Sequence, residues 1–126
     1  MKISELTPRS QVDNLIFKVL EMGEVRSTSS GNRVAEALVG DETGVIKFTL
    51  WNAEIPMLEV GKTYTLKNGY VTLYRGSMRL TIGRYGELLA SDVEIGDVDV
   101  SNNLSKMKFD DGGVRRRRRF GGDYRV

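Results

Sequence analysis

The residues best suited to chemistry in this chain are the rings of Trp51, Tyr70 and Tyr74 and the cations Lys47, Arg26, Arg33, Arg75, Arg79 and Arg84. Aromatic faces with guanidinium and ammonium groups beside them suit a ligand that is itself made of flat rings and anions. The 126 residues include neither Cys nor His. A disulfide framework, a zinc or haem site, a thiol nucleophile and a His general base are therefore excluded. No Gly-x-x-x-x-Gly-Lys phosphate loop occurs, and the carboxylates cluster in turns such as Asp41-Glu42 and in the stretch after residue 90. The expectation is a binding protein and not an enzyme, with no catalytic residue, metal ligand or cofactor.

The elements that must carry those rings read as short strands. An extended segment runs from Asp13 to Ser27, with Leu15, Phe17 and Val19 alternating against Ile16 and Lys18 and a bend at Met22-Gly23. Arg33 to Gly40 and Gly44 to Trp51 form a hairpin around Asp41-Glu42-Thr43-Gly44, with Gly44 expected to supply a positive φ. A connector punctuated by Pro56 and Gly61 follows, then a second hairpin, Thr63 to Leu73 and Met78 to Gly83, around Tyr74-Arg75-Gly76-Ser77. Three strands, a connector and two strands make an all-β chain. That order suits a five-stranded OB-fold barrel, and a five-stranded SH3-like barrel would give a similar pattern.

Strand alternation then sorts core from surface. In Gly44 to Trp51, Ile46, Phe48 and Leu50 face inward, and Val45, Lys47, Thr49 and Trp51 face outward. Tyr64 and Leu66 are inward at even positions but Val71 and Leu73 at odd ones, which places a bulge at Asn68-Gly69. Tyr70, Thr72 and Tyr74 then face outward, and Met78, Leu80 and Ile82 fill the core beneath Arg79 and Thr81. One face shows Trp51, Tyr70 and Tyr74 among Lys47, Arg75, Arg79 and Arg84, with Arg26 and Arg33 extending the path. Such a surface fits single-stranded nucleic acid, whose unstacked bases expose the faces that a duplex hides. The competing reading of Trp51 is a core residue capping the barrel.

The net charge of +2 conceals a block pattern. Residues 1–43 carry 5 basic and 7 acidic side chains, 44–86 carry 6 and 2, 87–104 carry 0 and 5, and 105–126 carry 8 and 3. We divide the chain into a nucleic-acid-binding domain at 1–90, an acidic linker at 91–104 and a disordered basic tail at 105–126 containing Arg115 to Arg119. The longest apolar runs, such as Leu15-Ile16-Phe17, are three residues long. That leads us to expect no transmembrane helix or secretory segment, and a soluble cytoplasmic, nucleoid-associated protein.

Val39-Gly40-Asp41-Glu42-Thr43-Gly44, Lys47-Phe48-Thr49-Leu50-Trp51 and Asn68-Gly69-Tyr70-Val71-Thr72-Leu73-Tyr74-Arg75-Gly76 together resemble the simple single-OB, single-stranded-DNA-binding proteins of the archaeal type. Their OB domains are akin to those of replication protein A and the human single-OB repair proteins. Ile3-Ser4-Glu5-Leu6-Thr7-Pro8 matches the family's usual approach to its first strand, and the resemblance spans roughly residues 3 to 90. It implies an OB fold, base stacking on Trp51, Tyr70 and Tyr74, and a strand path lined by Arg26, Arg33, Arg75, Arg79 and Arg84. The latter two aromatics are commonly Trp and Phe in the family, and the tail here is short and basic where members often carry a longer Gly-rich one. The expected partner is single-stranded DNA, coated with little sequence preference in replication, recombination or repair by a protein that is monomeric without DNA. RNA binding and a protein-interaction OB subunit are the alternatives, and replication or repair proteins are candidate partners.

Overall fold

The computed structural model describes residues 1–109. Seven strands appear: β1 (Ser10–Met22), β2 (Arg26–Ser27), β3 (Arg33–Asp41), β4 (Gly44–Trp51), β5 (Thr63–Tyr74), β6 (Ser77–Thr81) and β7 (Glu87–Ala90). Five of them close into a barrel in the order β1-β3-β4-β6-β5, with β5 returning to β1. This is the five-stranded OB-type barrel the sequence predicts. The closing contact between β4 and β6 is parallel, pairing Lys47 with Arg79, Phe48 with Leu80 and Thr49 with Thr81. The short β2 adds to β3, and β7, which sequence alternation does not resolve, adds to β5.

The core is the inward set expected from alternation: Leu15, Phe17, Val19, Ile46, Phe48, Leu50, Leu66, Val71, Met78 and Leu80 are all buried. Phe17 lies 5.5 Å from Phe48 and 6.1 Å from Tyr64, ring centre to ring centre. Inside β5 the inward face changes between Leu66 and Gly69, and Asn68 adopts a left-handed φ of 55° to make the change. β1 changes its own inward parity between Val12 and Leu15, so the two strands stay paired through the switch, Val12 opposite Gly69 and Asn14 opposite Lys67. A Cβ at Gly69 would fall 2.4 Å from the Leu66 side chain, so the crossing of faces needs glycine there.

Three sequence expectations need correction. The β3–β4 turn does not use a left-handed Gly44, which is absent from the positive-φ residues. Instead the Asp41 carboxylate closes it, accepting from the Thr43 N–H at 2.8 Å and the Thr43 hydroxyl at 2.6 Å, and its other oxygen accepts the Ile3 N–H at 3.0 Å. Val45, assigned to the solvated face, is buried. The third expectation, a tail disordered from residue 105, fails for its first residues and supplies the reason: the end of the acidic linker and the start of the tail, residues 98–109, return across the barrel as a strap. Leu104 enters the core, Ser105 is buried, and Leu104–Lys106 form a 3-10 turn. The strap takes the Val45 N–H onto the Asn102 carbonyl at 2.9 Å and the Lys47 N–H onto Ser105 Oγ at 2.9 Å. It ends with the Phe109 N–H on the Gly76 carbonyl at 2.8 Å. The rest of the proposed tail, with Arg115 to Arg119, lies outside the described residues.

Gly44 serves this strap. A Cβ there would sit 2.8 Å from the Asn102 backbone oxygen and 3.2 Å from the Leu104 side chain. Gly44→Ala should therefore destabilise the protein by about 1 to 3 kcal/mol, the usual cost of overpacking. A urea midpoint equal to the wild type's would contradict the closeness of strap and barrel.

Candidate nucleic-acid interface

The outward face of β3 to β6 forms an open groove of about 980 Å³. Pairing fixes its rows: Val34 opposite Trp51, then Glu36, Thr49, Thr81 and Tyr70 across four strands. Trp51, Tyr70 and Tyr74 all line it and are 42%, 39% and 55% exposed. Trp51 is thus a surface ring and not a barrel cap. Its position follows from the end of β4. The Trp51 N–H donates to Glu54 Oε1 at 3.0 Å as the chain turns into the 3-10 segment Asn52–Met57. The left-handed Asn52 beside it accepts the Arg33 N–H at 2.9 Å, tying β4 to the start of β3.

Tyr74 ends β5 at a two-residue turn whose central residues, Arg75 and Gly76, both have positive φ (52° and 80°), the pattern of a type I′ hairpin. Its ring has the Arg75 guanidinium carbon 5.4 Å and the Arg79 guanidinium carbon 5.7 Å from its centre. Both distances are within cation–π range, which orients the ring before any ligand arrives.

The predicted cations divide. Arg26 and Arg79 line the groove; Lys47, Arg33, Arg75 and Arg84 do not. Arg79 is only 11% exposed, and its Nε donates to Glu36 Oε2 at 2.6 Å. Lys47 Nζ lies 3.8 Å from the other oxygen of Glu36. Arg75 rides on Tyr74 at the rim, exposed Arg33 opens β3, and exposed Arg84 sits in the loop after β6.

Sequence reasoning overlooked the carboxylates. Glu36 and Glu54 both line the groove. Glu36 alternates outward between Ala35 and Ala37, so the same periodicity that found Thr49 would have found it. Tyr85, 74% exposed beside Arg84 in the loop after β6, is a fourth ring that strand alternation could not reach. Two groove cations against two carboxylates leave a lining with no net charge, so what it presents is rings and directed donors. Among the described residues, no group of three or more His, Cys, Asp or Glu could hold a metal, and no helix is long and apolar enough to cross a membrane.

Comparison with known proteins follows the same outline. The family model "single-stranded DNA binding protein Ssb-like, OB fold" matches residues 6–90. The chain is 34% identical over 85 residues to the single-stranded DNA binding protein Ssb of Saccharolobus solfataricus, covering 65% of this chain and 57% of that one. An uncharacterized protein of Arabidopsis thaliana is 31% identical over 123 residues, covering 87% of this chain and 80% of the relative. The solution structure of a hypothetical Arabidopsis thaliana protein superposes with a TM-score of 0.75 at 30% identity, covering 91% of this chain and 88% of its own. A replication protein A heterotrimer bound to single-stranded DNA shares the fold, with a TM-score of 0.63 at 17% identity over 74% of this chain and 25% of that one.

Proposed function

Since the chain belongs to the Ssb-like, OB-fold family of single-stranded DNA binding proteins, we propose that it binds single-stranded DNA along the groove by stacking bases on Trp51, Tyr70 and Tyr74. The observation that carries this reading is the convergence of three exposed rings from β4 and β5 on one groove. Each base stacked on an aromatic side chain contributes about 1 to 3 kcal/mol with little regard to sequence. A single OB fold covers about 4 to 16 nucleotides, and we expect the low end here, about 4 to 6. Arg26 and the rim cations Lys47, Arg33, Arg75 and Arg84 follow the phosphates. Coating of single strands during replication, recombination or repair is the role that suits such sequence-tolerant binding.

Glu36 and Glu54 shape the salt response. Each phosphate neutralised on a single strand contributes about −0.7 to the slope of log affinity against log salt. With Arg79 held by Glu36 and Lys47 partly offset by it, the cations that follow the phosphates give an expected slope of about −3, and no steeper than about −3.5.

Trp51 is the sole Trp, so its fluorescence reports the groove directly. Titration with oligo-dT should change its emission at low salt, and matched duplex should not. An emission indifferent to oligo-dT would overturn the proposal, and a clear preference for oligo-U over oligo-dT would redirect it to RNA.

A further inference from the structure

We propose that the strap, residues 98–109, is part of the binding site, acting through the positioning residues Ser105 and Ser77 to hold Arg79 against Tyr74. The inference rests on the function proposed above and adds to it a segment beyond residues 6–90, the span of the family model. The match to the Arabidopsis relative, covering 87% of this chain, also reaches beyond that span.

The connection is a continuous run of hydrogen bonds. Ser105 Oγ donates to the Met78 carbonyl at 2.6 Å and accepts the Lys47 N–H at 2.9 Å, which fixes the strap against β4 and β6 together. The Ser105 carbonyl then accepts the Ser77 hydroxyl, and Ser77 Oγ accepts from Arg79 Nη1. Arg79 Nε donates to Glu36 Oε2 at 2.6 Å, and the guanidinium lies 5.7 Å from the Tyr74 ring centre. Ser77 and Ser105 are both buried, so each needs the partners it has.

The chemistry gives this run a purpose. An Arg side chain has many rotamers, and a free surface Arg loses that freedom on gripping a ligand. Here folding has already removed that freedom. Nε and Nη1 are occupied by Glu36 and Ser77, and among the described residues Nη2 has no partner, while Arg79 lines the groove. Nη2 is therefore the guanidinium nitrogen left to donate to a ligand. Because Glu36 offsets the charge, Arg79 acts as a directed donor to a phosphate or base edge and not as a loose cation.

The test is a double-mutant cycle on the full chain, using Ser77→Ala, Ser105→Ala, Arg79→Ala and the Ser77→Ala/Arg79→Ala pair. Oligo-dT affinity is read from Trp51 emission at two salt concentrations. The mobility of the Arg79 Nε–H is read by nitrogen-15 NMR without DNA. Ser77→Ala and Ser105→Ala should each weaken binding about threefold to tenfold, the range of one intramolecular hydrogen bond, with the salt slope unchanged. Ser77→Ala should add no loss in the Arg79→Ala background, and it should release the Arg79 Nε–H from its rigid state. An equal loss in both backgrounds, or an Arg79 Nε–H as rigid as in the wild type, would overturn the inference. If Ser77→Ala does not fold, Ser105→Ala takes its place in the same cycle. If the wild type itself fails to bind oligo-dT, the proposed function falls. The NMR readout then decides the positioning role alone, supporting it if order is lost and overturning it if order is kept.

Discussion

Replacing Trp51 by Ala should weaken oligo-dT binding by about 1 to 3 kcal/mol, roughly 5- to 150-fold, with little change in thermal stability. The two halves of that expectation come from one fact: Trp51 is 42% exposed at the end of β4, lines the groove and is no member of the buried core cluster. Its backbone is held independently of the side chain, by Glu54 on the Trp51 N–H and by Asn52 on Arg33. Tyr74→Ala should cost less, because an incoming base must share that ring with two guanidiniums already over it. Arg33→Ala and Arg84→Ala, outside the groove lining, should cost least. Filter binding or calorimetry would establish the order, since Trp51→Ala removes the fluorescent reporter. An unchanged affinity in Trp51→Ala would remove the central stacking position from the mechanism.

Leu104→Ala should lower the free energy of unfolding by about 2 to 5 kcal/mol, a large share of a small domain's total. Leu104 packs in the same buried cluster as Ile46 and Met78, although it comes after the residues matched by the family model. Urea unfolding, followed by far-ultraviolet circular dichroism so that Trp51 is not the only reporter, measures the loss. A cost below about 0.5 kcal/mol, as for an ordinary surface substitution, would mean that the strap lies on the barrel without supporting it. The same experiment on Lys106→Ala, an exposed neighbour, should show that small cost.

The barrel was legible because its strands obey a period of two. Ile46, Phe48 and Leu50, and then Met78, Leu80 and Ile82, announce their inward face without any tertiary information. The change of face at Asn68-Gly69 was legible for the same reason, since Leu66 and Val71 cannot both be inward on an unbroken strand. The strap was not. Residues 91–104 read as acidic and poor in aromatics, and what fixes them to the barrel is Leu104, Val98 against Gly40, and a set of backbone and Asn102 amide hydrogen bonds that have no period. The fate of the cations was hidden in a related way. Alternation places Arg79 and Lys47 on the groove side, but only the register of β3 against β4 and of β4 against β6 brings Glu36 to both. The three rings lie on the face where alternation puts them, because alternation alone decides which side of a strand a side chain takes, whereas a cation's pairing depends on its neighbours.

The parallel seam between β4 and β6 bears on how the chain is made as well as on what it binds. Strands that pair in parallel cannot be joined by a tight turn, so β4 waits for the whole of β5 and its flanking loops before its second edge is met. The remaining amides on that edge wait longer still, for Ser105 lies 58 residues after the Lys47 whose N–H it accepts. Contacts this distant in sequence are slow to form, because the loop between them must be closed before they return any stability. On a ribosome, β1, β3 and β4 would emerge and pair as a meander with both outer edges still bare, that of β4 and the stretch of β1 that later meets β5. The amide edge that later faces the strap is, for that interval, the place where another chain could add a strand.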